Sequence, residues 1–343
     1  MINLKEYISE SILDVDNNID NVDKNIKDQI KQFLKENFKG ASSCKISRKP
    51  NADGKYEVSS NKNIKAENEK ITSLTNNMFI WTTVGGKFNC DYCNSLISLE
   101  GAPEKVGGGF DCACCKSLIS LEGAPKEVGG NFYCDYCDSL TSLEGGPKKV
   151  GGSFHCDYCD SLTSLEGGPK KVGKYFSCRH CNSLTSLEGA PKEVGSGFYY
   201  NDCNSLTSLE GAPEKVGGIF SCNKCISLIS LEGAPKEVGG DFVCDFCNSL
   251  TSLKGAPKEV GGDFVCDFCN SLTTLEGAPE KVSGDFYCAG CKSLISLEGA
   301  PKEVGGDFKC NNCKNIFIKN DVKTIFTIDD IKKVSKVKGN IIV

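Results

Sequence analysis

The 343-residue chain is 39% hydrophobic and 25% charged, with a formal net charge of −5 and an isoelectric point near 5.4. That balance argues against a nucleic-acid-binding surface, which needs clustered Lys and Arg, and no apolar run is long enough to span a membrane. The start, MINLKEYISE, is charged where a secretory signal needs an apolar run, so a soluble cytoplasmic protein is expected, its 23 cysteines kept as thiols.

Residues 1–39 read as an amphipathic helical segment. A helical turn or two over Leu4–Leu13 should end at the acidic DVDNN. A second helix is expected over 19–38, where Ile19, Val22, Ile26, Ile30, Phe33 and Phe38 recur at helical spacing and form one apolar stripe. Such a stripe serves as a cap or docks into a partner's groove. Residues 40–84 come next as a hairpin and a degenerate repeat. CKISRKPNADGKYEVSS places the hairpin turn at Pro50–Gly54, and in ITSLTNNMFIWTTV the residues Met78, Phe79, Ile80 and Trp81 should cover an open end.

From residue 85 to 319 one phrase recurs eleven times. Phe88, Phe110, Phe132, Phe154, Phe176, Phe198, Phe220, Phe242, Phe264, Phe286 and Phe308 stand 22 residues apart. Counting from each Phe, Cys falls at +2 in every copy but one and at +5 in all, while Leu at +8 and +11, Pro at +15 and Val at +18 fill the first ten copies. So regular a period means stacked coils that cover one another's apolar edges. Phe-x-Cys has the alternation of a strand with one face buried, and the glycines mark turns. The segment carrying Pro is expected to be extended or polyproline-like. Eleven parallel strands would stack into a rod about 50 Å long.

Residues 320–343 read as the closing cap. Lys319 replaces the second leucine, so the repeat decays there. Thr327-x-x-Asp330 resembles a capping box and opens a short helix, IDDIKKVSKVK, whose Ile328, Ile331 and Val334 would seal the last coil.

Gly85-x-x-Phe88-x-Cys90-x-x-Cys93-x-x-Leu96 overlays the leucine-rich-repeat pattern with Gly in place of the first Leu. The chain resembles the cysteine-containing members of that family, over residues 85–319. The phrase SLTSLEGAPKEV is also similar to repeat proteins of tailed phages and gut-associated bacteria, which would place the chain in a bacterial host cell or a virion. The first resemblance implies a strand surface that binds protein partners, and the fold expected is a β-rich, leucine-rich-repeat-like solenoid with a parallel sheet, closed by the helical caps read at both ends.

Three readings compete for the cysteines. Consecutive copies spell C-x2-C-x18-C-x2-C, a zinc-ribbon spacing, with Cys90, Cys93, Cys112 and Cys115 as its first ligand set. Against it, Tyr200 replaces one Cys in an otherwise intact copy, Cys114 adds an extra outward thiol, and the copies show no two-repeat alternation. Disulfides between in-register parallel strands have poor torsions. The favoured reading is core thiols, packed beneath Phe at +2 and donating to a backbone carbonyl at +5, with no metal and no cofactor. The dense Gly-Asp pattern of calcium-binding repeats is absent.

With Phe and the +2 Cys inward, positions −1, +1 and +3 face outward, and +4 joins them if the strand has ended. Asp91-Tyr92, Asp135-Tyr136, Asp157-Tyr158, Asp245-Phe246 and Asp267-Phe268 occupy +3/+4, Tyr133, His155, Tyr199 and Tyr287 occupy +1, and four aspartates, Asp241 to Asp307, occupy −1. Stacked like charges and watered aromatics suggest a cover. These fourteen residues at +1, +3 and +4 are the expected partner-binding face of a non-enzymatic protein. His155 and His180 have no orienting acid defined in the sequence, and no Gly-rich phosphate loop precedes a helix. The alternatives are a structural or virion-associated scaffold docked by the N-terminal helix, and a zinc-binding protein. Partner identity and oligomeric state are not fixed by the sequence.

Overall fold

The computed structural model describes residues 4–67, 70–313, 317–319, 322–324 and 326–343, with the backbone alone for 4–20, 317–319 and 322–324. The chain is a leucine-rich-repeat-like β-solenoid of eleven 22-residue coils. The phenylalanines stand in register, Phe88 against Phe110 and so on to Phe286 against Phe308, as parallel strands of two or three residues. Their rings lie 4.9 to 5.9 Å apart along the whole stack.

The sequence points to one parallel sheet, and the solenoid has two, of 14 strands each. In every coil from Lys105–Val106 to Glu303–Val304 the strand at +17 and +18 pairs in parallel with the coils on either side, through +18 alone between Val238 and Val260. Proline stands at +15, so the N–H groups at +17 and +18 are intact and free to enter a ladder. Of the seven residues from +12 to +18 expected to be extended, the last two form this strand, whereas +12 and +13 make a turn with glycine at positive φ. Phe, both Cys, both Leu, Pro and Val fill the narrow space between the sheets.

Two glycine positions make the tight stacking possible. Gly123 and its equivalents have φ between 80° and 95°, where a side chain would be strained. At Gly195 the backbone of the previous coil comes so close that a Cβ would stand 2.1 Å from the Gly173 carbonyl oxygen.

At the N-terminus a single helix, α1 (Leu4–Asn37), replaces the two expected. The segment DVDNN contains neither Gly nor Pro, and Asp and Asn weaken a helix by only about 0.7 kcal/mol each. Ile30 and Leu34 are its buried contacts, with Ile26 and Phe33 partly buried; Val22 is exposed, and the side chain of Ile19 lies outside the described residues. Phe38 is not helical. It starts β1 (Phe38–Lys39) and packs edge-on to Trp81 at 5.6 Å.

The hairpin is present as β2 (Lys45–Ile46) antiparallel to β3 (Tyr56–Ser60) and opens the second sheet. β4 (Ile64–Ala66) joins β1 to the first sheet, and β5 (Phe79–Val84) follows β3 in the second. Phe79 and Trp81 are buried and cover the first coil, Met78 packs partly against it, and Ile80 alternates outward. The Trp81 indole donates to the Leu74 carbonyl at 2.9 Å.

At the other end Phe317–Lys319 and Val322–Thr324 form an antiparallel hairpin, followed by α2 (Ile328–Val334). The capping box is present: the Thr327 side chain accepts from the Asp330 N–H and the Asp330 carboxylate accepts from the Thr327 N–H. The helix is shorter than expected, and Ile331 alone of the three expected sealing residues is buried; Ile328 and Val334 are exposed. The chain then adds one more rung, pairing Lys336–Val337 and Ile341–Ile342 to the two sheets.

Candidate recognition face

The strand at each Phe is only two or three residues long, and the turn after it builds the face. At +4 the backbone becomes left-handed in every coil: Tyr92, Cys114, Tyr136, Tyr158, His180, Asp202, Lys224, Phe246, Phe268, Gly290 and Asn312 have φ between 56° and 68°. The turn sends the +5 Cys back into the core. There its thiol donates to the carbonyl at +2 of the preceding coil, from Cys115 to Cys90 at 3.1 Å through to Cys313 to Cys288 at 3.1 Å. Ten such bonds run down the stack.

All 23 cysteines are free thiols, and burial pushes those of Cys90, Cys112 and Cys137 well above the ordinary range. The four candidate zinc ligands Cys90, Cys93, Cys112 and Cys115 are buried in this ladder and do not converge on one point. Among the described residues the trio close enough to share a metal ion is Asp135, His155 and Asp157, whose ligand atoms lie within 4.8 Å of one another. A cation is already beside it, with Arg179 Nε 3.4 Å from Asp157 Oδ2.

The aspartates turn out to be brackets. Asp135 Oδ1 accepts the Asp157 N–H at 2.8 Å, Asp157 Oδ1 accepts the Arg179 N–H at 2.8 Å, and Asp245 Oδ1 accepts the Asp267 N–H at 2.9 Å. The column at −1 does the same, from Asp241 to Asp263 and on to Asp307 and Asn340. Each carboxylate thus satisfies an N–H on the next coil, which offsets the repulsion of stacked like charges. Burial raises Asp135 and Asp245 to about 6, and it lowers His155 toward the neutral imidazole. Asp91, half-buried, pairs with Lys65 at 3.3 Å.

Above the brackets stand the aromatics. Tyr92, Tyr136, Tyr158, Phe246 and Phe268 are between 39% and 57% exposed. Tyr136, Tyr158 and His180 form one column, with ring centroids 4.7 and 4.3 Å apart and planes within 11°. Phe246 and Phe268 form another at 4.8 Å. Asp202 and Lys224 separate the two columns.

The +1 residues are less available. Tyr133 stacks on His155 at 4.9 Å and takes a bond from Asn131, while Tyr287 donates to Asp285 and lies under Lys309. Tyr199 lies beside Tyr175 and Arg179. His180 is not among the residues expected on this face. Its place four residues after Phe176, the register of Tyr136 and Tyr158, is the signal that finds it.

No family model matches the chain, and no curated protein matches it. Among solved structures, a leucine-rich repeat protein from Bacteroides ovatus ATCC 8483 is similar at 14% identity, covering 87% of this chain and 98% of that one, with a TM-score of 0.20. A likeness that faint carries no argument.

Proposed function

We propose that the chain is a non-enzymatic protein-binding solenoid whose recognition face is the aromatic column at +4 of the first sheet. Leucine-rich-repeat-like solenoids commonly bind proteins. The observation that carries the reading is conformational. A side chain with a Cβ held in the left-handed region costs about 1–2 kcal/mol, and Gly and Asn are the residues that escape it. This chain nevertheless places Tyr92, Tyr136, Tyr158, Phe246 and Phe268 there, exposed to water. Strain kept at exposed aromatic sites is characteristic of binding surfaces, where such side chains act as anchors.

The test replaces those five residues together by Asn, which keeps the turn. Immobilised wild type should retain a protein from its native source that the variant loses at least tenfold, with circular dichroism unchanged. Equal retention by the variant would remove this face from consideration.

A second reading, docking through α1, is favoured by that helix's length. Its 34 residues span about 51 Å, and among the described residues its apolar contacts to the cap lie at Ile26, Ile30, Phe33 and Leu34. Removal of residues 1–21 that abolishes recruitment, while the aromatic variant keeps it, would move the function to the helix.

A further inference from the structure

Where α1 crosses the hairpin of β2 and β3 the surface opens into a cavity of about 520 Å3. Its floor is aliphatic, made by Leu34, Ala41, Cys44 and Ile46, and its rim is cationic, made by Lys27, Lys31, Lys35 and Arg48. A second hollow of about 420 Å3 shares Lys27, Lys31 and Arg48 and adds Lys24 and Lys49, against only Asp23 and Asp28. This concentration of positive charge sits in a chain whose net charge is −5. Lys31 pairs with Asp28 at 2.9 Å, and Lys27 donates to the Arg48 carbonyl. Among the described residues neither Lys35 nor Arg48 has a carboxylate within ion-pair distance. Burial holds the Cys44 thiol up at about 11, so the floor is uncharged.

We infer that this cleft binds a single-chain amphiphilic anion, with an alkyl chain over Leu34, Ala41 and Ile46 and a carboxylate or phosphate head among Lys31, Lys35 and Arg48. The volume falls in the range of small-molecule pockets, about 300–1,000 Å3, which are mostly apolar with a few convergent polar groups. Among the described residues no aromatic side chain lines it, so a nucleobase would find nothing to stack on. An aliphatic floor beside several cations favours an anion with an aliphatic tail over inorganic phosphate alone. The head could belong to a free acyl anion or to a lipid in a bilayer.

Titration calorimetry on the full chain decides the matter with decanoate as the probe. Saturable uptake of one decanoate per chain is expected, at least tenfold tighter than decanol, which has the chain and lacks the charge. The double variant Lys31→Glu with Arg48→Glu alters exposed residues and should bind decanoate at least tenfold more weakly at unchanged melting temperature. Lys35→Met gives a smaller loss in the same direction. The five-fold aromatic variant of the recognition face must bind decanoate as wild type does, which keeps this site separate from that one. Cosedimentation with phosphatidylcholine vesicles containing phosphatidylglycerol, lost in the double variant, would assign the head to a bilayer lipid; decanoate uptake without cosedimentation assigns it to a free anion. Absence of saturable decanoate binding, equal binding of decanol, or equal affinity in the double variant overturns the inference.

Discussion

Each coil presents two sheet surfaces made from the same backbone spacing, and they handle charge in opposite ways. On the second sheet the residues at +17 alternate in sign along much of the stack, and neighbours pair in water: Lys105 with Glu127 at 3.5 Å, Lys171 with Glu193 at 3.7 Å, Lys215 with Glu237 at 2.8 Å. On the first sheet charges of one sign stack, each turned inward to hold a backbone N–H of the next coil, and the outward positions are given to aromatics in a strained turn. The second surface is arranged to be solvated. The first is organised around groups that gain little from water, and that asymmetry is the physical case for recognition there.

The contrast breaks most clearly at the brackets. Asp157→Ala leaves the Arg179 N–H and the Ser177 hydroxyl without their acceptor, and a loss of about 2 kcal/mol is expected in urea unfolding. A loss near zero would mean that water replaces the carboxylate and that the first sheet is no more tightly held than the second. Next in size is Tyr92→Asn. Tyr92 has φ 57° and its neighbour at +4 is Cys114, so no ring stack is lost with it. Relief of the turn should raise stability by about 1 kcal/mol. A destabilised variant would show that the aromatic is there for packing.

The period, the thiol core, the hairpin and the capping box are all legible in the sequence because each depends on residues close together or repeated at one interval. The second sheet is not, because Lys-Val after a proline resembles any polar turn until the neighbouring coil supplies the other half of the ladder. The single long helix escapes a reading of the sequence because polar residues weaken a helix too little to end it. At the recognition face the residue types are readable, but their roles are not. Asp135 and Asp245 look like a solvated acidic stripe in sequence, and only stacking at one rung per 22 residues brings the next N–H onto their carboxylates. Tyr200 is the reverse case. In sequence its place among the thiols argues against zinc, and in the fold its ring lies edge-on to Phe220 at 5.1 Å, inside the same core.

The bracket at Asp245 also carries a pH signature. Burial raises Asp245 in the folded chain to about 6 from an ordinary value of 3.8. A carboxyl raised by folding contributes stability that is fully present below the unfolded value and is lost as pH climbs through the folded one. Asp245→Asn keeps the oxygen that accepts the Asp267 N–H, as Asn223 does for Asp245 one coil earlier. The variant should therefore be more stable than wild type at pH 7 by about 1 kcal/mol, after allowance for solvent screening, and the gap should close by pH 4. A difference that stays constant from pH 4 to 7 would show that the carboxylate is not desolvated.

The smallest effect belongs to the second sheet, and it is the control on which the contrast rests. Lys215 and Glu237 form one of its shortest pairs, yet both side chains are more than 60% exposed. An exposed pair gains little in high dielectric and gives up side-chain freedom to form, so Glu237→Gln should leave the urea midpoint of unfolding unchanged, with and without 1 M salt. The same substitution should leave partner retention untouched. If it lowers retention as far as the aromatic variant does, the binding surface wraps both sheets and strain at +4 is not what marks it.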